Sequence, residues 1–213
     1  MGRKSDAAER LVTAMAALVH QRGYGAVGVE DVCAAAGVKK GSFYHFFASK
    51  RDLMLAAIER QGQLGKAHLV DAAFAGDTPP LERIERLLAM AGRFESLNKT
   101  RGGQVLGCPF GNLAAEVGGS EPVLTKHVDQ ALGAFGESIR AALREAKRRG
   151  DVPRKLDVAE ATDAILAYFE GVMLLAKMRN DPSLIRRLAP FAVQLVSSRS
   201  SGPAGTRSTP RSA

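Results

Sequence analysis

What most constrains the fold of this chain is its punctuation. Helix-opening and helix-stopping residues recur from one end to the other, and no alternation of apolar and polar residues competes with them. Leu11, Met15, Leu18 and Val19 repeat on one helical face, and Gly23 supplies the left-handed stop, which predicts a first helix over Asp6–Arg22. Glu30–Ala36 is a second, short helix halted by Gly37, and Lys40–Phe46 a third. Ser49 with Asp52 three residues on resembles a capping box opening a fourth helix to about Gln63. Further on, Thr78-Pro79 opens a helix to about Lys99, Ser120 with Pro122 opens a long one ending at Gly150, Asp157 with Glu160 caps another, and Asp181-Pro182 opens the last. The expected fold class is all-α.

The chain has 213 residues, 46% apolar and 24% charged, enough for one good-sized core or two small ones. No window holds 18 consecutive apolar residues, and the first ten residues lack the apolar run of a secretion signal, so a cytoplasmic protein without a membrane span is expected. Cys33 and Cys108 stand 75 positions apart with no CxxC partner, which argues against a metal site or a disulfide framework. The formal net charge is +8. Residues 1–65 hold 9 Lys/Arg against 6 Asp/Glu, residues 66–196 hold 18 against 16, and residues 197–213 hold 3 against none. The excess at the two ends favours polyanions. The last segment, rich in Ser, Gly, Pro and Arg, reads as a disordered tail.

The two short helices after Gly28, joined by a turn at Gly37, have the dimensions of a helix-turn-helix. Phe43, Phe46 and Phe47 are apolar enough to lock a small helix onto its neighbours. Lys39, Lys40, Ser42, Tyr44 and His45 supply donors on the other side, and Lys50 stands where its ammonium and free helix-opening amides meet one phosphate. Tyr44 has a second reading as a core aromatic, and His45 as a solvated helix residue. Cys33 reads as a small buried hydrophobe.

The run from Val32 to Leu53 carries an Ala-Ala-Gly-Val turn, a Gly-Ser-x-Tyr-x-x-Phe helix and a Ser-Lys-x-x-Leu opening. Over Leu18 to Ile58 it resembles the DNA-binding signature of TetR-type transcriptional regulators. The resemblance implies that Lys39, Lys40, Gly41, Ser42, Tyr44 and His45 lie at DNA and that Lys50 holds its backbone. Family members often carry a hydroxyl residue at the positions of Gly28 and Lys39, so capping and one phosphate contact differ here. The resemblance also implies a helix-turn-helix domain over 1–65, its fourth helix bridging to a ligand-binding and dimerisation domain over 66–196, with 197–213 as the tail. In such regulators the last two helices pair with those of a second copy. Apolar stripes at Val158, Ala161, Ile165, Phe169, Val172 and Met173, and at Leu184, Leu188, Phe191 and Leu195, suit that role.

The pocket candidates are Met90, Phe94, Cys108, Phe110, Asn112, His127, Phe135, Tyr168 and Met173. Gly107-Cys108-Pro109-Phe110-Gly111-Asn112-Leu113-Ala114-Ala115-Glu116 resembles a Gly-Cys-x-x-Gly-Asn-x-Ala-x-Glu motif of one TetR subgroup that includes electrophile-responsive members. Pro109 suits the first position of a helix, which makes Cys108 its N-cap, where free amides stabilise a thiolate. The other reading of Cys108 is a small residue permitting close packing. The function expected is a homodimeric repressor released from a pseudo-palindromic operator by a small molecule or electrophile, with no cofactor, metal or enzymatic activity. The alternatives are a sequence-independent architectural DNA binder and an enzyme using Cys108 with His127.

Overall fold

A computed structural model describes residues 2–197, with side chains from residue 6 onward. The tail expected over 197–213 lies, Ser197 apart, outside the described residues. Every regular element among them is helical: α1 (Gly2–Arg22), α2 (Val29–Ala36), α3 (Lys40–Phe46), α4 (Lys50–Gly65), α5 (Asp71–Phe74), α6 (Pro80–Gly102), α7 (Pro109–Val117), α8 (Pro122–Arg149), α9 (Val158–Arg179) and α10 (Ser183–Ser197).

The expected stops are where the glycines put them. Gly23, Gly37 and Gly150 all take positive φ after α1, α2 and α8, the conformation an L side chain resists. The caps expected at Ser49 and Asp157 form, whereas α6 and α8 begin after Pro79 and Glu121 with no side-chain cap from Thr78 or Ser120. The Asp52 amide donates to Ser49 Oγ, while the Ala159 and Glu160 amides donate to the Asp157 carboxylate. At Gly28, where a hydroxyl cap is missing, the Asp31 carboxylate accepts from the Gly28 amide at 2.8 Å.

One helical segment runs on past its expected end, and another begins where Pro109 puts it. α4 does not end near Gln63; it continues through a π turn, Lys66–Val70, into α5. α7 is a full helix after the Gly107-Cys108 step, with Pro109 in its first turn.

The cores show how the two halves join. The first contains Leu11, Met15, Phe43, Leu53 and Ile58 from the amino-terminal helices, together with Leu113 and Val117 of α7 and Leu124 and Val128 of α8. α7 is therefore built into the core of the first module although it follows that module by more than forty residues in sequence. Two further cores lie among α6, α8, α9 and α10. Of the stripe expected to lie at the partner, Ala161, Ile165, Phe169, Val172 and Met173 are buried within the chain, as is Leu184. Phe191 and Leu195 of the expected stripe are exposed on α10, and on α9 the exposed apolar residues are Leu174, Leu175 and Met178. A helix packed on its own core and presenting an apolar outer edge needs two stripes, and periodicity alone does not say which faces inward.

Candidate nucleic-acid interface and effector cavity

α3 has seven residues, too few to persist alone in water. Phe43, fully buried, fixes it against the first core, with the Tyr44 ring edge-on at 5.0 Å and Phe47 at 6.1 Å. This orientation leaves Lys39, Lys40, Gly41, Ser42, Tyr44 and His45 exposed on the opposite side. Tyr44 is 56% exposed and so is not a core aromatic. Lys40 donates to Glu30 at 2.7 Å, an exposed pair that a phosphate displaces at little cost. Cys33 is buried. Lys50 is not left open to solvent: its ammonium donates to the Tyr24 carbonyl at 2.6 Å and sits 4.0 Å from the centre of the Tyr24 ring.

A cavity of about 350 Å³ opens among α1, α4, the π turn, α6, α7, α8 and α9. Of the candidates, Phe94, Cys108, Phe110, Phe135 and Met173 line it. The other four do not. Met90 packs into the core between α6 and α8. Asn112 points back along the chain, donating to the Leu106 carbonyl and accepting from Lys177 Nζ. His127 donates from Nδ1 to the Val123 carbonyl one turn earlier on α8. Tyr168 lies on the outer α9–α10 face, its hydroxyl donating to the Leu188 carbonyl. His127, the base expected to pair with Cys108 in an enzyme, is therefore not among the cavity's lining residues.

The cavity also has walls that the candidates did not include: His20 from α1, Gln61 from α4, His68 from the π turn, Glu95 from α6 and Glu170 from α9. Glu170 had a legible signal, as the one charged residue between Asp163 and Lys177 on α9. Glu95 is buried and satisfied, accepting from the Leu106 and Gly107 amides and from Asn98. Burial holds the His20 pKa below its ordinary value; its Nε2 donates to the Gly107 carbonyl at 2.8 Å.

The stretch from Gly107 to Glu116 now has a physical reading. Gly107 takes φ 78° and closely approaches Lys177. Cys108 is the N-cap of α7, with the Gly111 amide donating to Sγ at 3.5 Å. Gly111 lies under the Glu170 carboxylate, where a Cβ would fall 2.0 Å from Oε2. At the other end of α7, the Tyr24 and Gly25 amides donate to the two Glu116 oxygens at 2.6 and 2.5 Å. A Cβ at Gly23 or Gly25 would come within 3.0 Å of that carboxylate, so the glycine loop forms its cradle.

The reading of Cys108 as a stabilised thiolate is corrected. Burial pushes the thiol well above its ordinary pKa, and the neighbouring Glu170 charge adds to the shift, outweighing the Gly111 and Phe110 amides that oppose it. A helix terminus favours the anion by a modest amount, whereas removing a charge from water costs several times more. In a Cys33→Ser background, iodoacetamide labelling of Cys108 should be slow at neutral pH and should still accelerate above the ordinary thiol pKa. A rate that levels off below that value, followed by mass spectrometry, contradicts this assignment.

Residues 11–57 match the family model described as bacterial regulatory proteins, tetR family, and residues 80–191 that of a tetracyclin repressor-like carboxy-terminal domain. The chain belongs to the TetR family of transcriptional regulators. It is 34% identical over 165 residues to the transcriptional regulator AcuR of Cereibacter sphaeroides, covering 76% of this chain and 73% of that one. It is 29% identical over 146 residues to the transcriptional repressor NemR of Escherichia coli, covering 68% and 69%. A TetR regulator from Chloroflexus aurantiacus superposes with a TM-score of 0.79 at 26% identity, covering 91% of this chain and 96% of that one. In this TetR chain the amino-terminal family match spans α2 and α3, and the cavity is lined from both sides of the expected boundary, His20 coming from α1 and Gln61, Leu64 and Gly65 from α4. No described helix is long and apolar enough to cross a membrane.

Proposed function

We propose that this chain is a cytoplasmic repressor that binds a pseudo-palindromic operator as a homodimer and leaves it when a small molecule fills the cavity. In this reading residues 1–65 read DNA and residues 66–196 bind the ligand and the second copy. The observation that carries it is α7. Its first turn, Cys108 to Phe110, lines the cavity; Leu113 and Val117 sit in the core of the DNA-reading module; Glu116 holds the loop between α1 and α2. A ligand that displaces the first turn therefore moves a rigid nine-residue lever whose far end is bonded to the module that carries α3. The ligand need only prefer the displaced arrangement to shift the population away from the operator-competent one.

Geometry on both sides supports dimerisation. One short recognition helix reads few base pairs, and a two-fold pair doubles the site. The exposed apolar edge formed by Leu174, Leu175, Met178, Phe191 and Leu195 supplies the surface. The raised Cys108 pKa favours reversible occupancy of the cavity over thiol alkylation as the trigger.

The test is footprinting upstream of neighbouring genes, followed by competition at the protected sequence. The proposal requires that unrelated duplex displaces the protein far less effectively than operator does; equal displacement instead supports an architectural binder. At the same operator, Lys50→Ala is expected to reduce the salt dependence of binding by about one unit of slope. An unchanged slope means that Lys50 stays on Tyr24 in the complex.

A further inference from the structure

The chain carries 30 lysine and arginine residues and a formal charge of +8, yet none of those among the described residues lines the cavity. Its charged wall consists of two carboxylates. Glu95 is satisfied by two backbone amides and Asn98. Glu170 is not. Its Oε1 is buried and accepts no hydrogen bond, while its Oε2 rests against the Cα of Gly111. Burial pushes its carboxyl above the ordinary range, with only the adjacent Cys108 thiol opposing. The lysine nearest in sequence, Lys177 on the same helix, lines the outer cleft between α1 and α9 and is committed to Asn112. Burying a carboxylate with one weak thiol donor, an unpaired Oε1 and no cation costs free energy, and a ligand that supplies the missing partner recovers it.

The rest of the wall specifies the body of that ligand. Phe94, Phe110, Phe135 and Phe169 line the same space, with the rings of Phe135 and Phe169 at 5.3 Å. Phenyl rings beside a carboxylate attract an organic cation twice, through the negative ring faces and through the anion. An anionic ligand meets two carboxylates there and no described lysine or arginine, the basic side chains of the wall being the imidazoles of His20 and His68.

We infer that the effector is a compact organic ammonium compound, its charged nitrogen placed against the Glu170 carboxylate and its apolar body among the four phenylalanines. The inference rests on the reading of this cavity as the effector site. An ammonium seated at Glu170 presses on Gly111, and so on the first turn of α7.

Isothermal titration of the full-length protein at neutral pH with three isosteric probes, phenethylamine, phenethyl alcohol and phenylacetate, tests it. The amine is expected to bind about tenfold or more tightly than phenylacetate, and Glu170→Gln to remove about tenfold of the amine's affinity while leaving the alcohol within about twofold. Phenylacetate binding as tightly as the amine, or an amine indifferent to Glu170→Gln, overturns the inference. The probe series on the unmodified protein stands even if the variant folds poorly. Leu132→Trp, which places an indole in the cavity, separates the two levels of the claim. If it abolishes binding of all three probes and the amine has no advantage, the cavity stands and the ammonium class falls. If it leaves binding unchanged, or if no probe binds at millimolar concentration, the cavity reading falls with it.

Discussion

Leu175→Glu combined with Phe191→Glu is expected to turn the dimer into monomers and to lower operator affinity about a thousandfold, because each half-site is then bound without the other. Both side chains are exposed in the single chain, Phe191 by 48%, so neither change opens a hole in a core. They line one shallow apolar cleft with Leu188 and Leu195, across which a second copy would bring its own glutamates into contact. Charges facing each other across an apolar surface are both desolvated and repelled. Helix content and thermal stability of the separated chain should change little. Sedimentation at micromolar concentration is the check: a persistent dimer with intact operator affinity removes the α9–α10 edge from the interface.

Phe43→Ala and Tyr44→Ala should differ sharply despite being neighbours. Phe43 is fully buried and is the main anchor of α3; its loss should cost about 3–5 kcal/mol and melt the helix proposed to read DNA. Tyr44 is more than half exposed, so Tyr44→Ala should leave the melting temperature nearly unchanged while weakening operator binding by about 1–3 kcal/mol. A thermal melt and an operator titration of each variant distinguish lost folding from lost contact. Equal stability losses mean that Tyr44 belongs to the core, and a Tyr44 variant with full affinity takes it off the DNA.

Much of this molecule was legible because its helices are closed by local signals. Gly37, Ser49 and Asp157 act within a few residues of themselves, and so does Pro109, which made Cys108 a cap. What failed depended on residues far away in sequence. Of the two readings of Cys108, the stabilised thiolate fails because Glu170, sixty-two positions later, lies beside it and because burial outweighs the end of one short helix. Met90, His127 and Tyr168 were placed at the cavity by residue type and helical spacing, and Asn112 by its motif, none of which tells which face of α6, α7, α8 or α9 turns inward. His20, Gln61 and His68 were missed because they arrive from α1, α4 and the π turn, segments assigned to DNA reading or to its boundary. Glu116 was visible as the last residue of a motif. Its partners, the amides of Tyr24 and Gly25, became apparent only once α7 was seen to pack into the first module.

The central claim is that α7 carries the state of the cavity to the DNA-reading module through Glu116. It can be tested without knowing the effector, because the cavity has room for an indole and Leu132 lies on its wall. Operator affinity is measured for the unmodified chain, for Leu132→Trp, for Glu116→Ala and for both changes together. Filling the cavity should lower affinity about tenfold or more when Glu116 is present and by less than about twofold when it is replaced. An equal loss in the two backgrounds, or no loss in either, contradicts the account.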